Sequence, residues 1–321
     1  MRRCGRVRAV LLAVPLLAAV ACDDGVDSGG GVSATTTPAT TTIGSSTTPA
    51  SASSLPTTTP PATSAPATTV TSATTATSAA TTVVPEQMTL SAYFLRDERI
   101  ATTHRTVAHT VATSNAALTE LLAGPNANEV AIGVSTAIPA GTELNGVRIA
   151  GGIATADLSS QFASGGGTLS VLSRLAQLVY TLTQFPTVDG VLLEIDGEPV
   201  TELTGEGVVI DHPLTRADFE DQTPIIFVES PAPFDRVGSP MRITGTANVF
   251  EAVFMIRLQT ASGDVLYEHN AMATSGTGTR GTFDVTVELE VPRGNGVLTL
   301  WEPSAKDGTP TNVVEIPVVF S

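Results

Sequence analysis

The chain has 321 residues and a formal net charge of −15, so it is long enough for two ordinary folded domains beside accessory segments. Such an acidic balance makes nucleic acid and anionic lipid headgroups poor partners and excludes them as principal ligands. Lysine and tryptophan each occur once and cysteine twice.

The first 21 residues have the layout of a secretory signal peptide. Four arginines and no acidic residue precede the apolar run VLLAVPLLAAV over residues 10–20. A run of about eleven residues is too short for the roughly 30 Å hydrocarbon core of a membrane, which needs about twenty. We therefore expect export and cleavage, which leave the remaining chain still more acidic.

Cys22 follows the small residues Ala19, Val20 and Ala21, and this segment resembles a bacterial lipoprotein processing site. In that pattern the cysteine becomes the acylated first residue, and the position three before it is usually Leu. Here that position is Ala19, so an ordinary A-x-A signal-peptidase site fits as well. Removal of the signal leaves Cys22 as the only thiol of an exported chain, and acylation gives it a use.

We accordingly expect Cys22 to carry the lipid, palmitate included, that anchors the protein to the extracytoplasmic face of the cell membrane. The alternative is an unmodified terminal thiol. Residues 22–86 are dominated by Thr, Ser, Ala, Pro and Gly and contain no aromatic residue, lysine or arginine. Because this composition buries too little apolar surface to offset the entropy of ordering, we predict a disordered stalk that is a candidate for glycosylation.

Residues 87–213 mix strand and helix patterns. Alternating apolar residues predict strands and a hairpin, in the order 88–96, 137–159 and 188–200. Apolar residues at helical spacing predict two helices, one capped by Ser114 and ending at Gly124, and one over 168–184. These elements predict an α/β sandwich in which a mixed sheet carries two helices on one face.

Five segments of this region resemble, in order, the sporulation and spore germination (GerMN) domain: AYFL, LLAGP, AIPAGTEL, IATADLSSQF and QLVYTLTQFPTVDGVLLEIDG. They lie within residues 87–205. The resemblance implies a role in the cell envelope or in spore-related morphogenesis, and it does not by itself show that the organism sporulates.

Residues 214–321 begin with a polar connector and then contain only β signals. Seven short β-prone runs predict a seven-stranded sandwich without a disulfide. The segments SPAPFDRVGSP, ITGTANVFEA and WEPSAKDG resemble the immunoglobulin-like domain of bacterial spore germination. The fold class is therefore α+β: an α/β sandwich domain, then an all-β immunoglobulin-like sandwich.

Motifs for phosphate or metal binding are weak in this chain. The segment GTGTRG, residues 276–281, matches G-x-G-x-x-G, but an alternating strand follows it where a dinucleotide site needs a helix. His104 and His109 are five residues apart, which is not the spacing that points two metal ligands the same way on a helix. We expect the segment GTGTRG to form a loop of the sandwich, and His104 and His109 to lie in a solvated turn or loop. We expect neither a bound metal nor a cofactor.

Neighbouring acidic residues give equally weak evidence for catalysis or calcium binding. Glu194 and Asp196 lie two apart on a predicted strand and could serve general acid–base chemistry, but a solvated strand edge leading into a turn is the favoured interpretation. Asp218, Glu220 and Asp221 lack the D-x-D-x-D-G loop of a calcium site. No G-x-S-x-G or S-x-x-K signature occurs in the predicted folded region, which excludes those signatures but not catalysis.

Trp301, Lys306 and Asp307 form the most site-like cluster, because they place the only Trp and the only Lys at one junction of strand and loop. The competing interpretation is a core Trp followed by a turn. The function that we expect is non-enzymatic: a lipid-anchored envelope protein presenting two binding or scaffold domains to an envelope protein or wall polymer. The alternative is a cell-wall hydrolase or ligand-binding lipoprotein with a site between the two domains.

Overall fold

The computed structural model describes residues 86–203, 207–290 and 292–321. The predicted signal peptide, Cys22 and the predicted stalk up to residue 85 lie outside these residues. Within the described ranges, no helix is both long enough and apolar enough to cross a bilayer.

The first domain opens with a long hairpin. Strands β1 (Gln87–Arg96) and β2 (Arg99–Ala108) pair antiparallel along their whole length. Helices α1 (Thr113–Ala123) and α2 (Ala127–Ala131) follow, and then β3 (Val134–Ser135) pairs with the end of β1 to complete a three-stranded sheet in the order β2-β1-β3.

A second, mixed sheet completes this domain. Its strands are β4 (Leu144–Ala150), β5 (Ile153–Leu158), β6 (Gly190–Ile195) and β7 (Glu198–Pro199), in sequential order. Gly151 and Gly152, at φ of 57° and 81°, form the tight turn of the β4–β5 hairpin, as predicted. β5 and β6 run parallel because helix α3 (Thr168–Leu182) crosses between them. The short strands β8 (Glu202–Leu203) and β9 (Val208–Val209) end the domain.

The predicted domain with a mixed sheet and helices is confirmed, with four differences. Its strands divide between two sheets, and α3 is buried on most sides because β1, β6, β9 and the segment after β9 all contact it. β2 was missed, since its Thr, His and Arg side chains hide the alternation on which strand prediction depends. α1 begins one residue before Ser114, which lies buried inside the helix and does not cap it.

The core of the first domain lies around α3 and β1. Its large apolar side chains with almost no exposure include Tyr93, Phe94, Phe162, Leu158, Leu175 and Leu178. The segment after β9 also reaches this core. It forms a 3-10 helix at Arg216–Gln222, and Leu214 and Phe219 are buried in the first core, whereas the sequence predicts only a polar connector here.

The second domain is a β sandwich. Its strands are β10 (Ile226–Ser230), β11 (Arg236–Val237), β12 (Met241–Ala247), β13 (Val253–Thr260), β14 (Val265–Met272), β15 (Gly281–Val287), β16 (Gly294–Pro303) and β17 (Pro310–Phe320). One sheet has the order β10-β12-β15 and the other β11-β17-β16-β13-β14. All seven predicted β runs form strands, and the first run supplies both β10 and β11, one to each sheet.

Strand β10 joins the two cores. Phe227 packs in the core of the first domain, whereas its neighbours Ile226 and Val228 pack in the core of the sandwich. This arrangement follows from the alternation of side chains along a strand, which sends consecutive residues to opposite faces. The strand is therefore a structural element of both domains.

An aromatic cluster lies where β10 meets the first domain. The rings of Tyr93 and Tyr180 have centroids 5.6 Å apart, and Phe227 lies 6.1 Å from the first ring and 5.5 Å from the second. These separations are within the range of favourable aromatic pairs.

Arg216 covers this cluster. Its guanidinium lies 4.6 Å from the ring centroid of Tyr180 and 5.4 Å from that of Tyr93. Its Nε donates to Thr183 Oγ1 at 2.8 Å, and its Nη1 donates to Glu229 Oε1. The side chain thereby links α3, the 3-10 segment and the last part of β10.

The hydroxyl of Tyr93 completes the network by donating to Glu229 Oε2 at 2.9 Å. Burial, reinforced by the carboxylate of Glu229, raises the pKa of Tyr93 far above its usual value, so the hydroxyl stays protonated as a donor. Burial opposes the charge of Arg216, but Tyr93 and Glu229 outweigh it and raise the pKa of that guanidinium. We refer to Tyr93, Tyr180, Arg216, Phe227 and Glu229 as the junction cluster.

Helix α3 offers a matched test of the core. Leu175→Ala should lower the free energy of unfolding by about 2–5 kcal/mol, because it leaves a cavity at a side chain that is 1% exposed. Leu169→Ala, on the same helix but 54% exposed, should change it by less than about 0.5 kcal/mol. Urea unfolding followed by circular dichroism measures both, and equal effects would contradict this placement of α3.

The junction cluster predicts a second stability difference. Glu229→Gln should destabilise the protein by about 1.5–3 kcal/mol, because the hydrogen bonds it weakens involve a charged group. Arg242→Gln is the control, since its ion pair with Asp284 is exposed (69% and 54%) and exposed pairs contribute about 0–1 kcal/mol. The measurement is urea unfolding, and an Arg242 variant at least as unstable as the Glu229 variant would refute the role of the cluster.

Candidate functional site

Polar contacts continue from the junction cluster along the hairpin of β1 and β2. Thr102 Oγ1 donates to the carbonyl oxygen of Val228 at 2.9 Å, and Nδ1 of His104 lies 2.7 Å from Asp235 Oδ2. Our expectation of a solvated loop is therefore wrong for His104, which sits on β2 and is half-buried against the second domain. His109 follows the end of β2 and is exposed.

The turn of this hairpin also reaches the second domain. Asp97 and Glu98 take positive φ values of 52° and 62°, as a tight two-residue turn requires. The turn presents Arg96 and Arg99 on either side. Arg96 Nη1 donates to the carbonyl oxygen of Glu315 at 2.8 Å, and Arg99 Nη1 donates to the carbonyl oxygens of Asp221 and Thr223.

A cleft of about 610 Å³ opens between these arginines and the edge of the sandwich. Its volume is within the range of ligand pockets, about 300–1,000 Å³. The first domain lines it with β3 and the residues around the β1–β2 turn, and the second domain with β10, the prolines beside β10 and the middle of β17. We call this the interdomain cleft. It is the place where polar groups of both domains converge on one cavity.

Two strand edges border the interdomain cleft. β10 is the outermost strand of its sheet, and β17 is covered by the short β11 only at Val319 and Phe320. The middle of β17, residues 312–316, lines the cleft. Edge strands carry backbone groups that are not used within the sheet.

The structure separates the three residues that we predicted as a binding site. Trp301 lies on β16 and is 6% exposed, with the guanidinium of Arg257 4.9 Å from its ring centroid. Lys306 and Asp307 are exposed on the β16–β17 turn, where Asp307 accepts from Thr309 and its pKa is lowered by these hydrogen bonds. Little of Trp301 is left for a partner to contact.

The paired acids do not act as a pair. Glu194 binds Arg148 in a two-pronged ion pair that lowers its pKa, whereas Asp196 leaves the strand at a φ of 51° and accepts from the backbone N–H of Ser160. Each carboxylate has a structural partner of its own. Neither borders the interdomain cleft.

The acidic residues of the connector, residues 214–224, also have structural partners. Asp218 accepts from Thr215 at the start of the 3-10 helix, and Glu220 pairs with Arg280 of the second domain. No group of three or more His, Cys, Asp or Glu in the described ranges is arranged to hold a metal ion.

The glycines of GTGTRG serve a tight loop between β14 and β15. A Cβ on Gly276 would lie 2.3 Å from the carbonyl oxygen of Val249, and one on Gly281 would lie 2.3 Å from the backbone nitrogen of Ser275. Gly278 has a φ of 95°. These positions need glycine for close backbone packing, and the loop interpretation of the motif agrees with the structure.

Sequence reasoning missed the arginines of the cleft. Arg96 and Arg99 flank a two-residue turn, and that turn would have been recognised only if β2 had been predicted. Arg216 lies in a segment for which the sequence predicts a polar connector. Its one sequence signal was a lone arginine followed by apolar Phe219 in an otherwise acidic connector.

Comparison with known proteins assigns both domains. The family model described as sporulation and spore germination matches residues 91–201, and the model described as the immunoglobulin-like domain of bacterial spore germination matches residues 225–309. Among curated proteins no relative matches the chain.

Solved structures give weaker likenesses. The first GerMN domain of the sporulation protein GerM from Bacillus subtilis is 24% identical with a TM-score of 0.33, covering 41% of this chain and 99% of that one. The tandem GerMN domains of the same protein are 17% identical with a TM-score of 0.36, covering 63% of this chain and 62% of that one. With TM-scores this low, the assignment depends on the family models. The chain contains a sporulation and spore germination (GerMN) domain followed by an immunoglobulin-like domain of bacterial spore germination.

Proposed function

We propose that this protein is a non-enzymatic, lipid-anchored envelope protein that presents a two-domain binding unit outside the cell membrane. The observation that carries the proposal is the interdomain cleft, which both domains line and the junction cluster holds together. A cavity bordered by strand edges and arginines suits the capture of a partner. The binding unit acts in sporulation, germination or cell-wall assembly, in line with the two domain families.

The location of the cleft also favours one part of the alternative function, a ligand site between the two domains. Hydrolysis would need a nucleophile or a pair of acids beside the bound substrate. Asp97 and Glu315 are the carboxylate residues that border the cleft in the described part of the chain. They are the residues through which a hydrolase activity would act.

The anchor follows from Cys22. Because the chain has a strongly acidic balance, its attachment to an anionic membrane surface would need a lipid. A single acyl chain gives only reversible membrane binding, so the anchor needs more than one chain. The 64 residues from 23 to 86, if they behave as a flexible coil, place the binding unit roughly 45 Å from the membrane.

The lipid anchor predicts a change of compartment. Cys22→Ser should move the processed protein from the membrane fraction to the aqueous phase of a detergent partition. Cys4→Ser is the matched control and should leave the protein in the membrane, because Cys4 lies in the predicted signal peptide. Immunoblots of both fractions measure the outcome. Retention of processed Cys22→Ser protein in the membrane would disprove the anchor.

The non-enzymatic role predicts binding to an envelope target without turnover. Incubation with purified peptidoglycan should release no soluble wall fragments, whether or not the protein sediments with the wall. Asp97→Asn and Glu315→Gln should leave this result unchanged. Release of fragments by the wild-type protein that either substitution abolishes would establish the hydrolase in place of the binding function.

A further inference from the structure

We propose that the free edge of β14 pairs antiparallel with the β14 edge of a second copy of this chain, about a two-fold axis at Asn270. The five-stranded sheets of the two copies would then form one continuous ten-stranded sheet, a size that open sheets reach. The inference goes beyond the proposed function and does not depend on it. Three features of β14 carry it: the direction of its backbone groups, its unprotected edge, and the self-complementary order of its side chains.

The hydrogen bonds around β13 show which backbone groups of β14 are free. The N–H of Ala273 donates to the carbonyl oxygen of Ala252 at 2.9 Å, so the even-numbered residues of β13 face β14. The N–H of Ala261 donates to the carbonyl oxygen of Asn295, so the odd-numbered residues face β16. Because antiparallel ladders alternate, three residues of β14 point their N–H and C=O groups away from β13. They are Glu268, Asn270 and Met272.

These backbone groups are accessible to a further strand. All three residues are exposed, and in the described part of the chain β14 has a neighbouring strand on one side only. The other edges of the sandwich that border the first domain differ. β10 is buried against that domain, and β17 contains Pro317 and is partly covered by β11.

The sequence of β14 lacks the residues that usually protect an edge. Natural sheets block exposed edges with lysine, proline or inward-pointing charges. β14 reads VLYEHNAM, and Glu268 is its one acidic or basic residue besides His269. Nε of Arg257, on β13, donates to Glu268 Oε2 at 2.6 Å. The carboxylate is therefore paired within one copy, and it does not repel a neighbouring strand as a free charge would.

Two features limit the regular part of this edge to residues 267–273. A register shift in the β13–β14 ladder leaves Leu266 without an opposite residue, so β14 carries a bulge there. At the other end, the N–H of Thr274 donates to the carbonyl oxygen of Thr282 at 2.8 Å, and the chain turns towards the other sheet. The midpoint of the regular part is Asn270. A two-fold axis at Asn270 therefore lets all three outward-facing residues of each copy pair with those of the other.

The side chains that this register places opposite each other are compatible. Asn270 meets Asn270 of the second copy, and a carboxamide both donates and accepts, so the two can bond reciprocally. Glu268 lies opposite Met272, which is 65% exposed, and His269 lies opposite Ala271. No two like charges are opposed. An axis at Glu268 would instead oppose two carboxylates, and an axis at His269 would place Met272 against the bulge.

The test uses the processed chain carrying Cys22→Ser. A contact through one strand edge is small, so we expect a weak and reversible dimer. Sedimentation velocity should show a monomer–dimer equilibrium at protein concentrations below about 1 mM. Asn270→Asp should weaken the dimer roughly threefold to tenfold, because two carboxylates then oppose each other at the axis. Asn295→Asp is the matched control and should have no effect, since Asn295 is exposed on the same sheet but two strands from β14.

A second variant tests the backbone pairing. Asn270→Pro removes an N–H that faces away from β13, so the ladder within one copy keeps its hydrogen bonds. The dimer loses two hydrogen bonds at its centre and should weaken roughly tenfold or more. Circular dichroism checks that the variant is folded, and sedimentation of the chain without a substitution at Asn270 tests the inference independently of it.

Oxidation tests the register. In the processed Cys22→Ser chain, Asn270→Cys introduces a single thiol. Cα atoms of a hydrogen-bonded pair are about 5.5 Å apart, within reach of a disulfide, so mild oxidation should link two copies on a non-reducing gel. His269→Cys should not be linked, because that residue lies diagonal to its own copy at about 7–8 Å.

Three outcomes would overturn the inference. They are a monomer at every concentration up to about 1 mM, a dimer that Asn270→Pro leaves intact, and a disulfide with His269→Cys but not with Asn270→Cys. Each would show that β14 does not pair with a second copy about Asn270.

Discussion

The contact of Arg216 with Tyr93, Tyr180 and Glu229 is the interaction on which the arrangement of the two domains depends. A guanidinium placed over two aromatic rings and bonded to a carboxylate keeps its charge although it is largely removed from water. Each partner comes from a different element: β1, α3 and β10. A change in the angle between the domains would separate these partners and leave a buried charge without compensation.

Strand β10 contributes the apolar packing at the same junction. Phe227 enters the core of the GerMN domain while the residues on either side of it enter the core of the sandwich. Leu214 and Phe219 pack in the same core as Phe227. The segment that connects the two domains is therefore part of the folded structure. The cleft is a consequence of this arrangement, since the β1–β2 hairpin extends past the junction and its turn approaches the edge of the sandwich without covering it.

The residues that the sequence suggests for binding or catalysis make structural contacts instead. Trp301 is covered by Arg257, Glu194 is bound by Arg148, and the glycines of GTGTRG allow a loop to pass close to Val249 and Ser275. The residues that line the interdomain cleft, such as Arg99 and Glu315, come from distant segments of the chain and carry no sequence motif.

Local patterns determined much of this protein. The apolar stripe of α3, the Gly151-Gly152 turn and the seven β runs of the sandwich follow from side-chain periodicity and backbone freedom, which act over a few residues. The same patterns, with quoted segments such as LLAGP and WEPSAKDG, sufficed to identify both domain families. Tertiary structure decided the division of the strands between two sheets, the pairing of His104 with Asp235, and the burial of Arg216. These depend on residues up to 131 positions apart, whose meeting is set by the packing of two cores and not by any local preference.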